Sequence, residues 1–88
     1  MLELSCLVNN KIGVHLRAAG EFVKVASKFD SEIIVVNGSR EANGKSILGL
    51  ASLAIPSGTS ITIRVDGKDE KAAAEALAAL VKNNFNED

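Results

Sequence analysis

Apolar and polar positions along this 88-residue chain change their period several times, and each change marks an element. From Met1 to Val8 they alternate, with Leu2, Leu4, Cys6 and Val8 on one side and Glu3 and Ser5 on the other, which is the period of a half-buried strand. Asn9-Asn10-Lys11 and Gly13 then form a loop. Beyond it Ala19, Phe22, Val23 and Ala26 recur at helical spacing while Glu21, Lys24 and Lys28 take the opposite side, predicting a helix from Leu16 to about Ser27. Gly20 sits inside that helix at a cost of about 1 kcal/mol relative to alanine, so it points to a close approach by the sheet or by a docking partner. Glu32 to Val36 is dominated by β-branched residues and reads as a central strand. Asn37-Gly38 is a strong two-residue hairpin signal, so Arg40 to Asn43 returns antiparallel as a short polar edge strand.

Gly44 breaks the extended run, and Ser46 occupies the N-cap position of a short helix, Ile47 to Leu53, closed by Pro56 and Gly58. Ser60 to Val65 alternates again, Ile61, Ile63 and Val65 inward and Thr62 and Arg64 outward. Asp66-Gly67-Lys68-Asp69 turns the chain, with Asp69 a candidate cap and Glu70 favourable to the dipole of a last helix whose stripe is Ala73, Ala76, Leu77, Leu80 and Val81. The order β-α-β-β-α-β-α predicts an α+β fold in which a four-stranded antiparallel sheet is covered on one face by three helices. No linker, repeat or low-complexity tract interrupts the pattern, so residues 1–88 read as a single domain.

Within this frame the only histidine, His15, falls where a strand gives way to a helix. The first amides of a helix lack intrahelical partners, and the aligned peptide dipoles put partial positive charge there, so the place suits an anion and phosphate in particular. Positive potential disfavours the imidazolium, and a neutral ring nitrogen is a competent nucleophile toward phosphorus. Arg17, in the first turn, carries a fork of N–H groups suited to phosphoryl oxygens. A lone histidine before a helix also serves as a plain cap, and Ser46 by itself reads as one.

Composition narrows the field. The single cysteine, Cys6, excludes an intramolecular disulfide and lies in an apolar alternation, as a small buried hydrophobe does. A formal charge of −1 with neither Trp nor Tyr argues against a nucleic-acid surface. One His and one Cys make no metal site, and no cofactor is expected. The first residues lack a signal peptide's basic start and apolar stretch, and no apolar run approaches membrane-spanning length, so the expected location is the cytoplasm.

Gly13-Val14-His15-Leu16-Arg17-Ala18-Ala19 resembles the Gly-Leu-His-Ala-Arg-Pro-Ala signature of HPr, the histidine-containing phosphocarrier family of the bacterial phosphoenolpyruvate-dependent sugar phosphotransferase system. The resemblance continues through Glu21-Phe22-Val23-Lys24, Lys45-Ser46-Ile47-Leu48-Gly49-Leu50, Gly58 and Gly67-Lys68-Asp69-Glu70. Two positions depart from it: Ala18 stands where the family has proline, and Leu16 where it has a small residue. Alanine at 18 restores an amide that proline lacks, an extra donor near a phosphoryl group.

The resemblance implies an open-faced sandwich with strand order first-fourth-second-third. It implies a covalent carrier rather than an enzyme: His15 accepts a phosphoryl group from Enzyme I and passes it to sugar-specific EIIA domains, with Arg17 balancing charge. It marks Ser46 as the position that a dedicated HPr kinase/phosphorylase modifies in some members, in connection with a transcriptional regulator. It also groups Leu16, Gly20, Lys24, Lys45, Ile47, Leu48 and Ala51 around the histidine as a partner-binding face of a monomer, apolar with a basic rim. Two other readings remain beside the carrier. One is a regulatory HPr paralogue, nitrogen-related or acting in catabolite control through Ser46, and the other is a binding module for RNA or a small ligand that shares only the fold.

Overall fold

The computed structural model describes residues 1–87. The elements are β1 (Leu2–Val8), α1 (Leu16–Ala26), β2 (Glu32–Asn37), β3 (Arg40–Asn43), α2 (Ile47–Ser52), β4 (Thr59–Asp66) and α3 (Glu70–Lys82), followed by a single turn at Asn84–Asn86. The strands form one sheet in the order β1-β4-β2-β3, antiparallel at every pairing. This is the predicted α+β architecture.

Register decides the core. Cys6 pairs with Ile61 and Leu4 with Ile63 on one side of β4, while Val35 pairs with Ile63 and Ile33 with Val65 on the other. These residues share one face of the pleat, and a slip by one position would turn them all to the other. The helices cover that face with Ala18, Ala19, Phe22 and Ala26 from α1, Leu50 from α2, and Ala73, Leu77, Leu80 and Val81 from α3, all buried. Alanines at the contact let the helices lie close to the strands. The opposite face carries Glu3, Thr62 and Arg64, where the Arg64 guanidinium meets the Glu41 carboxylate at 2.6 Å.

Three details depart from the sequence reading. Asp69 precedes α3 but makes no cap bond to it; its carboxylate accepts the amides of Asp30 and Ser31 at 2.8 and 3.0 Å and the Ser31 hydroxyl, tying the start of α3 to the entry of β2. The Asp30 and Ser31 amides are more rewarding partners because they would otherwise be unpaired at the turn before β2. Gly20 has no close neighbour: a β-carbon there would meet nothing within 4 Å, which removes the sheet as the reason for a glycine in α1. Leu2, at the end of β1, is exposed. Among the described residues no helix is long and apolar enough to cross a membrane.

Candidate functional site

The loop ahead of α1 is pinned at two points. Gly13 has φ +88°, and the buried Val14 donates its amide to the Ile55 carbonyl at 2.8 Å. His15 follows with extended backbone (φ −99°, ψ −175°) and is the N-cap of α1, with its carbonyl accepting the Ala19 amide at 2.9 Å and its Nδ1 accepting the Arg17 amide at 3.2 Å. An imidazole nitrogen that accepts an N–H presents a lone pair, so the geometry assigns the proton to Nε2.

Nε2 has its own partner. The Glu87 carboxylate lies 2.7 Å away through Oε2, while its Oε1 accepts Asn10 Nδ2 at 2.9 Å. Asn10 is buried and also donates to the Gly13 carbonyl at 2.7 Å, so one amide joins the loop, the chain's last turn and the histidine. Hydrogen bonding from Asn10, then from His15, and the positive charge of Arg17 nearby hold the Glu87 carboxyl below the usual glutamate range. The helix terminus puts positive potential on one side of the ring, and the fold adds a negative charge at Nε2 on the other.

Glu87 arrives by an unusual path. Asn84, Phe85 and Asn86 have φ of 55°, 56° and 62°, a left-handed turn closed by the amides of Asn86 and Glu87 on the carbonyls of Asn83 and Asn84. Asparagine tolerates this region, whereas a bulky aromatic does so at a cost of about 1–2 kcal/mol. Phe85 is 1 % exposed in the core, and burying its ring offsets that cost. Asn86 Nδ2 reaches Glu21 Oε1 on α1 at 3.4 Å, a further tie.

The imidazole keeps 28 % of its surface, at the edge of a shallow hollow lined by Lys11, Ile12, His15, Arg17 and Glu87. His15 and Arg17 are thus brought together, and Arg17 makes no ion pair among the described residues. Ser46 caps α2, its hydroxyl accepting the Gly49 amide at 3.0 Å. Leu16 on α1 and Ile47 and Leu48 on α2 are exposed, Gly20 and Ala51 are half-buried, and the two helices adjoin. Lys24 is exposed on α1, whereas the half-buried Lys45 donates its ammonium to the Phe29 carbonyl at 2.7 Å. Three residues of this region escaped the sequence reading: Glu87, Asn10 and the exposed Ile12. The run Asn83-Asn84-Phe85-Asn86 was the available signal, since clustered asparagines mark left-handed turns. Among the described residues no group of three or more His, Cys, Asp and Glu is placed to hold a metal ion.

A family model described as the PTS HPr component phosphorylation site matches residues 2–83. The chain belongs to the HPr phosphocarrier family. Its sequence is 47 % identical to a phosphocarrier protein HPr from Xylella fastidiosa (strain 9a5c) over 88 residues, 100 % of this chain and 99 % of the relative. It is 42 % identical to a phosphocarrier protein NPr from Shewanella violacea over 86 residues, 98 % of this chain and 94 % of the relative, so the family's members include paralogues under other names. The fold superposes on a crystal structure of HPr-C-His from Thermoanaerobacter tengcongensis with a TM-score of 0.94 at 39 % identity, covering 100 % and 99 % of the two chains. HPr proteins are phosphocarriers of the phosphotransferase system and work there with other proteins.

Proposed function

We propose that this HPr-family chain carries a phosphoryl group on His15 between Enzyme I and EIIA domains. The observation that supports this best is a partly exposed imidazole whose Nδ1 accepts the Arg17 amide at the N-terminus of α1, at the edge of a hollow that the Arg17 side chain also lines. In the transfer, the Nδ1 lone pair forms the N–P bond as the bond between phosphorus and the donor breaks, and the leaving pair stays with the donor. The product carries a phosphoryl group with three terminal oxygens. Arg17 and Lys11 are the cations lining the hollow, and the amides of Leu16, Arg17 and Ala18, the first three of α1, are the donors offered to those oxygens. The Ala18 amide is the one a proline would lack.

Passing the group on reverses these bonds, so the protein is regenerated each cycle and acts as a stoichiometric intermediate. The docking face is Leu16, Ile47 and Leu48, with Gly20 and Ala51 beside them and Lys24 at the rim, and the exposed Ile12 extends it toward the histidine. The chain works as a monomer in the cytoplasm on this reading. A phosphate on Ser46 would sit at the start of α2, where the fold accommodates it, and its charge of about −2 would act on docking. The likeness to an NPr relative keeps a regulatory paralogue as the second reading, one that docks on regulators, such as an HPr kinase/phosphorylase or a transcriptional regulator, and contributes little to sugar transport.

Incubation with Enzyme I and phosphoenolpyruvate tests the carrier role. Acid-labile phosphate on the wild type and none on the His15→Ala variant are expected. An inert wild type, beside an Enzyme I that loads a known HPr, would overturn it.

A further inference from the structure

We propose that Glu87, held by Asn10, is the positioning residue of His15: it keeps the imidazole proton on Nε2 and so leaves Nδ1 as the nucleophilic nitrogen. The consequence for phosphoryl transfer rests on the carrier reading above, whereas the effect on the ring does not.

Two contacts specify the tautomer, and they differ in strength. The Arg17 amide approaches Nδ1 at 3.2 Å, the long end of the hydrogen-bond range, whereas the charged Glu87 oxygen approaches Nε2 at 2.7 Å. Charge-assisted bonds are about twice as strong as neutral ones, so the carboxylate dominates. A carboxylate on an exposed, freely moving side chain would have little effect. This one is fixed through its second oxygen by the buried Asn10 and from behind by Phe85, which carries the left-handed turn on which Glu87 is mounted. The charged groups around the ring are Glu87 from the last turn, Arg17 from α1 and Lys11 from the loop, and of these only Glu87 accepts a proton's hydrogen bond.

The arrangement also follows the electrons. When the Nδ1 pair forms a bond to phosphorus, the ring with its proton still on Nε2 becomes cationic, and Glu87 faces that charge at the opposite nitrogen. When the phosphoryl group leaves, the ring returns to neutral imidazole with its proton in place. No proton has to enter or depart in either direction. This is the orienting part that a carboxylate plays behind a catalytic histidine elsewhere, with phosphorus in place of a carbonyl carbon.

The test is long-range ¹H–¹⁵N NMR of the His15 ring in the unphosphorylated 88-residue chain at about pH 8.5, above the ordinary histidine range. Wild type is expected to show a proton-bearing Nε2 and a bare Nδ1. Glu87→Ala should raise the Nδ1–H tautomer about five- to tenfold relative to the other, and Glu87→Gln, whose single amide oxygen cannot accept from both Asn10 and the ring, should raise it as well. In the phosphoryl-transfer assay both variants lose the negative charge, so both should slow by about tenfold. A Glu87→Ala ring with the wild-type tautomer ratio overturns the proposal, as does a Glu87→Gln chain that transfers at the wild-type rate. The NMR measurement needs no phosphoryl donor, so an inert wild type would sink the carrier role and leave the ring to decide this one.

Discussion

Two glycine-to-alanine changes in the neighbourhood of the histidine are expected to move stability in opposite directions. At Gly13 a β-carbon would stand 2.3 Å from the Ile55 carbonyl oxygen and 2.9 Å from two Pro56 backbone atoms. All three are backbone, so no side chain can rotate away. Relief requires about 1 Å of separation, which strains or breaks the 2.8 Å bond from the Val14 amide to the same Ile55 oxygen, a loss of about 0.5–1.5 kcal/mol. The φ of +88° adds about 1–2 kcal/mol for any residue with a β-carbon. Against this, alanine stiffens the unfolded chain and returns about 0.4–1 kcal/mol. Gly13→Ala should therefore cost about 2 kcal/mol, a large part of the roughly 4–13 kcal/mol expected for a domain of this size.

Gly20 lies in the interior of α1 with nothing within 4 Å of its missing β-carbon, so Gly20→Ala should stabilise by about 1 kcal/mol through helix propensity alone. Urea unfolding followed by circular dichroism, with unchanged slopes and shifted midpoints, measures both. A neutral Gly13→Ala, or a Gly20→Ala that destabilises, would refute the steric reasoning at that site.

Other outcomes follow from the same contacts. Ala54, exposed at the end of α2 with φ 50°, should gain about 0.5–1 kcal/mol on replacement by glycine, read as a higher thermal midpoint; no gain would mean its left-handed conformation carries no cost. Asp69 and Glu87 both have carboxyl pKa values lowered in the folded chain, Asp69 chiefly by the Ser31 hydroxyl and Glu87 chiefly by Asn10. Their contribution is complete above the unfolded carboxylate range and is lost as pH falls through the folded values, so urea midpoints should drop below about pH 4.5, and Asp69→Asn should flatten that drop. Ser46→Asp should keep the fold and slow phosphoryl transfer from Enzyme I; an unfolded variant would contradict the capping geometry, since aspartate is itself a good cap. Ala18→Pro should shorten or leave unchanged the lifetime of the phosphohistidine, measured by loss of label; a clearly longer lifetime would remove the Ala18 amide from the site.

The elements themselves were written in the local pattern. Period two in β1 and β4, period 3.6 in α1 and α3, and Asn37-Gly38 between β2 and β3 each depend on near neighbours, whose spacing repeats whatever the rest of the chain does. His15 at a helix start and Ser46 at a cap were legible for the same reason, because a cap is a contact over two or three residues. What only the tertiary structure decided are the contacts that join distant positions. Asp69 spends its carboxylate on Ser31, 38 residues away, rather than on its own helix. Glu87 reaches His15 across 72 residues, because Phe85 enters the core and forces three left-handed residues that reverse the chain. Asn10 is buried with its amide nitrogen shared between the Glu87 carboxylate and the Gly13 carbonyl, two groups 77 and 3 residues away. No periodicity encodes such meetings: they exist only once the sheet and helices have brought the two ends of the chain to the same place.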